Sequence, residues 1–203
     1  MQIVCLPDGL PIDYTIQLAN VLSKKEEVMI VLYNNPQLEE HIKNISKDVN
    51  LCLTQKIKYP HWRHPSNLLI SFDIIKKIRE FKPDIMHIQG GDLFSLVISP
   101  FLKKYPLVTT IHDPKPHSGD EKVLLKKISL YYARKYSDHI IVHGEILKEE
   151  MIRKYMIPEE KVHAIPIGEH EVAPFKKYES ECLKEGGNLI LFFGRIWKYK
   201  GLE

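Results

Sequence analysis

A chain of 203 residues with 44% apolar side chains is long enough for one full hydrophobic core. Its 29 basic and 26 acidic residues leave a net charge of +3, which argues against a dedicated nucleic-acid binder, whose basic excess is larger and clustered. Cys5, Cys52 and Cys182 are odd in number and widely spaced, so they read as reduced thiols and make neither a disulfide framework nor a zinc site. The opening residues MQIVCLPDGL lack a basic stretch and meet Asp8 before an apolar signal core forms, and no run is long enough to span a bilayer. Cytoplasm is the expected compartment.

In chain order, short runs rich in Val, Ile and Leu alternate with helix-length amphipathic segments, the pattern of a parallel sheet with crossover helices. QIVCLP opens. Residues 12–23 follow with Tyr14, Leu18, Val21 and Leu22 at helical spacing. EVMIVLYN is the second strand, and NPQLEEHIKNIS reads as a helix with Asn35 as cap and Pro36 in its first turn. VNLCLT is a third, weaker strand, followed by the loop QKIKYPHWRHPS and a helix over residues 67–81. Then come PDIMHIQ, a helix over 92–103, PLVTTIHD, a helix over 121–136, DHIIVHG, a helix over 146–155, and KVHAIPIG. Strands buried on both faces account for the near-continuous apolar runs. The expected fold is α/β, a doubly wound, Rossmann-like parallel sheet.

Composition changes after residue 169. EHEVAPFKKYESECLKEGGN is charged, contains Pro174 and ends in Gly186 and Gly187, so residues 170–187 read as an interdomain linker. LILFFGRI, within residues 188–203, then reads as the first strand of a second domain.

Ligands of open parallel sheets collect at the carboxyl ends of the strands, where helix N-termini and loop amides converge. The residues at those ends are Asp8 and Gly9, Asn34 and Asn35, Gln89 to Asp92, His112 and Asp113, His143 to Glu145, and Gly168. Taken singly, each reads as an ordinary turn residue. TTIHDPKPHSGDE is different: His112, Asp113, His117 and Ser118 share one loop with Pro114 and Pro116, which restrict it before any ligand arrives. Ser118 or Asp120 also suits the cap of the next helix. Metal binding by His112, Asp113 and His117 is disfavoured, because intervening prolines leave no regular face to align three ligands.

The alternating start, LVTTIHDPKPHSG, SDHIIVHGEILKEEMIRKYMIPEEKVHAIPIG and LILFFGRIWKYKGLE together resemble the amino-terminal half of a family 4 glycosyltransferase of the GT-B fold. The resemblance spans nearly the whole chain. It implies that residues 1–169 form the acceptor-side domain, that His112 sits beside the transferred sugar, and that the segment from Gly194 to Gly201 opens the donor-binding domain. Arg195 and Lys200 within it suit a nucleoside diphosphate, the former as a planar fork and the latter as a point charge. No metal or other cofactor is expected, since metal-free sites neutralise the leaving group with such cations. Two departures stand out. The amino-terminal loop PDGLP supplies only Gly9 where the family commonly pairs glycines, and the family's E-x7-E donor motif would lie beyond Glu203.

Two further stretches bear on partners. KYPHWRHPS interleaves Trp62 with Lys58, His61, Arg63 and His64, and it reads equally as a sugar-stacking or membrane-resting loop and as a plain connection. The helix EKVLLKKISLYYARKY is read with Leu124, Ile128, Tyr131 and Tyr132 on a buried stripe; peripheral contact with the inner face of a membrane is the alternative use of its lysines.

The function expected from the resemblance is transfer of a sugar from a nucleotide sugar to an acceptor with retention. His112 is the catalytic residue, Arg195 and Lys200 hold the diphosphate, and Gly9, Trp62, Asp113 and His117 meet the sugar or acceptor. The 203 residues alone, without the carboxy-terminal partner domain, are expected to fold but not to catalyse. A non-catalytic carbohydrate- or partner-binding module and a GT-B sugar-nucleotide epimerase are the rivals.

Overall fold

The computed structural model describes residues 1–7, 12–32, 34, 38–54, 66–90, 98–116 and 123–168. Seven strands form one sheet: β1 (Gln2–Pro7), β2 (Glu27–Leu32), β3 (Val49–Leu53), β4 (Ile85–Gln89), β5 (Leu107–Thr110), β6 (His139–Val142) and β7 (Val162–Ala164). Their order is β3-β2-β1-β4-β5-β6-β7, and every neighbouring pair is parallel. The chain winds outward from β1 to β3, returns, and winds the other way from β4. The reversal lies between β1 and β4, where an open sheet leaves a crevice at its carboxyl edge.

Five helices are described: α1 (Ile12–Leu22), α2 (Leu38–Ile42), α3 (Ser66–Phe81), α4 (Val123–Tyr136) and α5 (Glu145–Tyr155), with 3-10 turns at Ser99–Leu102 and Glu159–Lys161. Alternating residues of β1 feed two cores. Val4 and Leu6 join Val31, Ile74, Ile78 and Met86 beneath α3, while Ile3 and Cys5 join Ile16, Ala19, Ile30 and Leu32 beneath α1. A third cluster, centred on Ile140, Val142, Leu130 and Met151, packs α4 and α5 against β6. Cys5 and Cys52 are free and buried, and burial pushes the Cys5 thiol up to about 12, so it is inert.

Two helix faces differ from the sequence reading. In α1 the sheet-facing residues are Thr15, Ile16 and Ala19, and Val21 is 61% exposed. Among the described side chains of α4 the buried ones are Ser129, Leu130 and Ala133, whereas Leu124 is 70%, Ile128 46% and Tyr131 58% exposed. In both helices small or polar side chains four apart, Thr15 with Ala19 and Ser129 with Ala133, take buried places. Ser137, just past the end of α4, donates its hydroxyl to Thr109 Oγ1 of β5 at 2.7 Å.

The second helix ends at Ile42, short of the expected run to Ser46, with His41 Nδ1 2.6 Å from Asp13 Oδ1 of α1. Asn35 and Pro36, its expected cap and first turn, lie outside the described residues, as do residues 92–97 of the helix expected over 92–103.

Candidate functional site

The carboxyl ends of β4, β5 and β6 carry a cluster of buried polar side chains. His87 and Gln89, two apart on β4, point the same way; the His87 Nε2 atom lies 2.8 Å from Thr110 Oγ1 and 3.1 Å from the Gln89 amide nitrogen. Gly90 follows with φ 97°, a conformation that favours glycine, and its N–H donates to Thr110 O at 2.7 Å, which carries the β4–β5 ladder one residue past the strand. Burial, reinforced by nearby His112, pushes His87 down to about 4, so it is neutral at physiological pH.

His112 lies two residues beyond β5. Thr110 pairs with Ile141 in the β5–β6 register, so the equal offset places His112 across from His143. Their rings lie 4.8 Å apart, with His143 Nε2 3.1 Å from His112 Nδ1, and His143 Nδ1 is 2.9 Å from the Ile165 carbonyl oxygen after β7. Tyr14 of α1 meets both imidazoles edge-on, at centroid distances of 5.4 and 5.5 Å. Burial first, then the neighbouring His143, holds His112 below its ordinary value against a smaller upward pull from Asp113. Its Nε2 atom is buried and has no hydrogen-bond partner among the described residues. Gln89 Oε1, on the adjacent strand, is likewise buried without one. Polar atoms sealed from water in this way cost stability unless a ligand reaches them.

The segment after His112 is tied down. Arg134 of α4 and the Tyr155 hydroxyl of α5 both donate to the Pro114 carbonyl at 3.2 Å, and the Arg134 guanidinium stacks 4.0 Å from the Tyr155 ring centroid. Proline content and these two anchors together hold the backbone that carries His112. Asp113 turns toward Lys126, whose Nζ is 3.9 Å from its carboxylate, and it remains 47% exposed.

Of the residues given a site role from the sequence, His112 and Asp113 are described, and of these His112 belongs to the cluster; Gln89 and His143, named only as strand-end turn residues, join it. Gly9, Trp62, His117, Arg195 and Lys200 lie outside the described residues, as do Cys182, the loop before α3 and residues 169–203. His87, His143 and Tyr14 were not singled out for function. The signal for His143 was present: two strands ending in an apolar run and then histidine, at equal offsets in a parallel register. Among the described residues no three His, Cys, Asp or Glu side chains converge as metal ligands, and no helix is long and apolar enough to cross a membrane.

A cavity of about 240 Å³ lies at the opposite end of the sheet, lined by Met86, Leu107, Tyr105, Tyr132, Tyr136 and Asp138 among others. These residues lie at the amino-terminal starts of β4, β5 and β6, away from the edge where parallel sheets bind ligands.

The model of Glycosyltransferase Family 4 matches residues 13–168, most of the chain and all of the polar cluster. The chain belongs to Glycosyltransferase Family 4. Solved structures with the same fold include UDP-GlcNAc 2-epimerase from Methanocaldococcus jannaschii, at TM-score 0.60 and 15% identity over 81% of this chain and 45% of that one. UDP-GlcNAc 2-epimerase from Neisseria meningitidis, solved bound to UDP-GlcNAc, has TM-score 0.55 and 16% identity over 81% and 45%. Sucrose-phosphate synthase from Thermosynechococcus elongatus has TM-score 0.58 and 14% identity over 83% and 49%. This family 4 chain therefore spans about half the length of the structures it resembles, and the likeness is one of fold. No curated protein matches it in sequence.

Proposed function

We propose that the chain supplies the acceptor-side half of an enzyme that transfers a sugar from a nucleoside diphosphate sugar to an acceptor hydroxyl with retention. The observation that carries this reading is the buried, unpartnered Nε2 of His112 at a strand end, in a chain of a glycosyltransferase family. A fold neighbour solved bound to UDP-GlcNAc supports a nucleotide-sugar donor. In the proposed reaction the acceptor oxygen bonds to the anomeric carbon as the bond from that carbon to the diphosphate oxygen breaks. The acceptor proton passes to the departing diphosphate, and the new bond forms on the face it leaves.

His112 orients the transferred sugar through a hydroxyl. Arg195 and Lys200 neutralise the diphosphate as charge develops on it, without a metal. Gly9, Trp62, Asp113 and His117 are proposed for the sugar or acceptor. Transfer requires a carboxy-terminal domain across the cleft, so the 203 residues alone are proposed to bind donor weakly and to form no product.

A second reading, epimerisation of a nucleotide sugar, is favoured by the fold likeness to two UDP-GlcNAc 2-epimerases. The longest native form of the protein, incubated with a panel of nucleotide sugars with and without candidate acceptors, separates the readings. Transfer gives free nucleoside diphosphate and a glycoside of unchanged anomeric configuration. A donor altered at C2 without acceptor identifies the epimerase, and an unaltered donor in every mixture points to a binding module.

A further inference from the structure

We infer that His143 is a positioning residue that fixes His112 in the Nδ1–H tautomer, so that the buried Nε2 of His112 can only accept a hydrogen bond. The inference rests on the proposed role of His112 for its meaning, but its geometry is independent of which sugar is bound.

Proton counting along the chain of contacts leads there. The Ile165 carbonyl carries no proton, so the 2.9 Å contact requires a proton on His143 Nδ1. In the neutral form of His143 that N–H is the only one, which leaves Nε2 bare and accepting. That nitrogen faces His112 Nδ1 at 3.1 Å, so His112 must donate through Nδ1. Burial and the neighbouring imidazole keep His112 neutral, and its second nitrogen is therefore a lone pair. The lone pair is buried and unmatched among the described residues.

Left to itself in water, a neutral histidine favours the opposite, Nε2–H form, so the relay reverses an intrinsic preference. Its chemical consequence is selectivity. A bare Nε2 accepts from a ligand hydroxyl and repels a carbonyl, carboxylate or phosphate oxygen, which separates the sugar end of the site from the diphosphate end. Edge contacts from Tyr14 to both rings hold the two imidazoles in one relative orientation.

Long-range ¹H–¹⁵N correlation on the histidine-labelled full chain at neutral pH tests this directly. The His112 signals are assigned by their absence in His112→Ala. In the wild type, His112 Nε2 should resonate as an unprotonated nitrogen. His143→Phe keeps a ring but removes both hydrogen bonds, and the Nε2–H form should become the major one. His143→Gln has an amide that donates to Ile165 O while its oxygen accepts from His112, and it should restore the bare Nε2. A protonated Nε2 in the wild type, or an unchanged tautomer in folded His143→Phe, overturns the inference. If His143→Phe fails to fold, the wild-type tautomer alone decides. In the longest native form, His143→Phe should lower kcat/KM by about tenfold, as loss of an orienting partner does elsewhere, with His143→Gln recovering most of it. Because the spectrum needs no turnover, a wrong tautomer refutes the relay while an absent activity refutes the enzyme.

Discussion

The two halves of the sheet share one architecture and differ in what they bury. In β2, Val28, Ile30, Val31 and Leu32 are fully sealed and apolar, although Thr15 of α1, over that half, is buried with its Oγ1 unpartnered among the described residues. In the other half, the strands themselves bury His87, Gln89, Thr109 and Thr110, and His112 and His143 follow the strand ends. Burying apolar area stabilises a fold, whereas burying polar groups costs unless each is matched. Thr109 is matched by Ser137 and His87 by Thr110, but His112 Nε2 and Gln89 Oε1 are not. Local rules broken in one place, while the neighbouring strands obey them, mark a site.

The contrast can be broken or sharpened by stability measurements, taken here from the largest expected effect. Ile30→Ala, in the apolar half, should cost about 2–5 kcal/mol by denaturant unfolding, because a sealed cavity replaces a core side chain. A loss well under 1 kcal/mol would mean that this half is not the stabilising one.

Acid should act on the polar half. His87 has a folded value of about 4 against an ordinary 6.5, so below 6.5 the unfolded chain binds a proton that the folded chain refuses. Its contribution is therefore complete above pH 6.5 and is lost as pH falls from 6.5 toward 4. The loss should be on the order of 3 kcal/mol, and His87→Gln should flatten that part of the profile. A profile unchanged by the substitution would contradict the burial of a neutral His87.

The smallest effect should fall on α4. Leu124→Ser should alter stability by about 0.5 kcal/mol or less, since Leu124 is 70% exposed. A loss of several kcal/mol would restore the buried stripe read from the sequence.

That stripe shows where the sequence was legible and where it was not. All seven strands could be read, because β-branched runs bounded by Gly, Pro and Asp carry their own signal. The buried sides of α1 and α4 could not, since Thr15, Ala19, Ser129 and Ala133 add little to an apolar period yet take the buried places. His112 was legible as a polar residue ending a strand within a proline-rich loop. Its partner was not, because the contact joins residues 31 apart and depends on the register that pairs Thr110 with Ile141. His87 was hidden for a related reason: inside PDIMHIQ it reads as one more strand residue, and only the fold shows that it is sealed beside Thr110.

The account's central claim is that the polar half serves a ligand and not the fold, and His112→Ala tests it most directly when turnover and melting temperature are measured on the same preparation of the longest native form. Turnover should fall roughly 100-fold or more, as it does when a group aimed at the reacting substrate is removed. The melting temperature should move by about 3 °C or less, because the unpartnered Nε2 goes with the ring while His143 Nε2 loses its partner, so the number of unmatched polar atoms stays the same. A large drop in melting temperature with normal turnover in the folded fraction would contradict the claim and make the histidines a structural network.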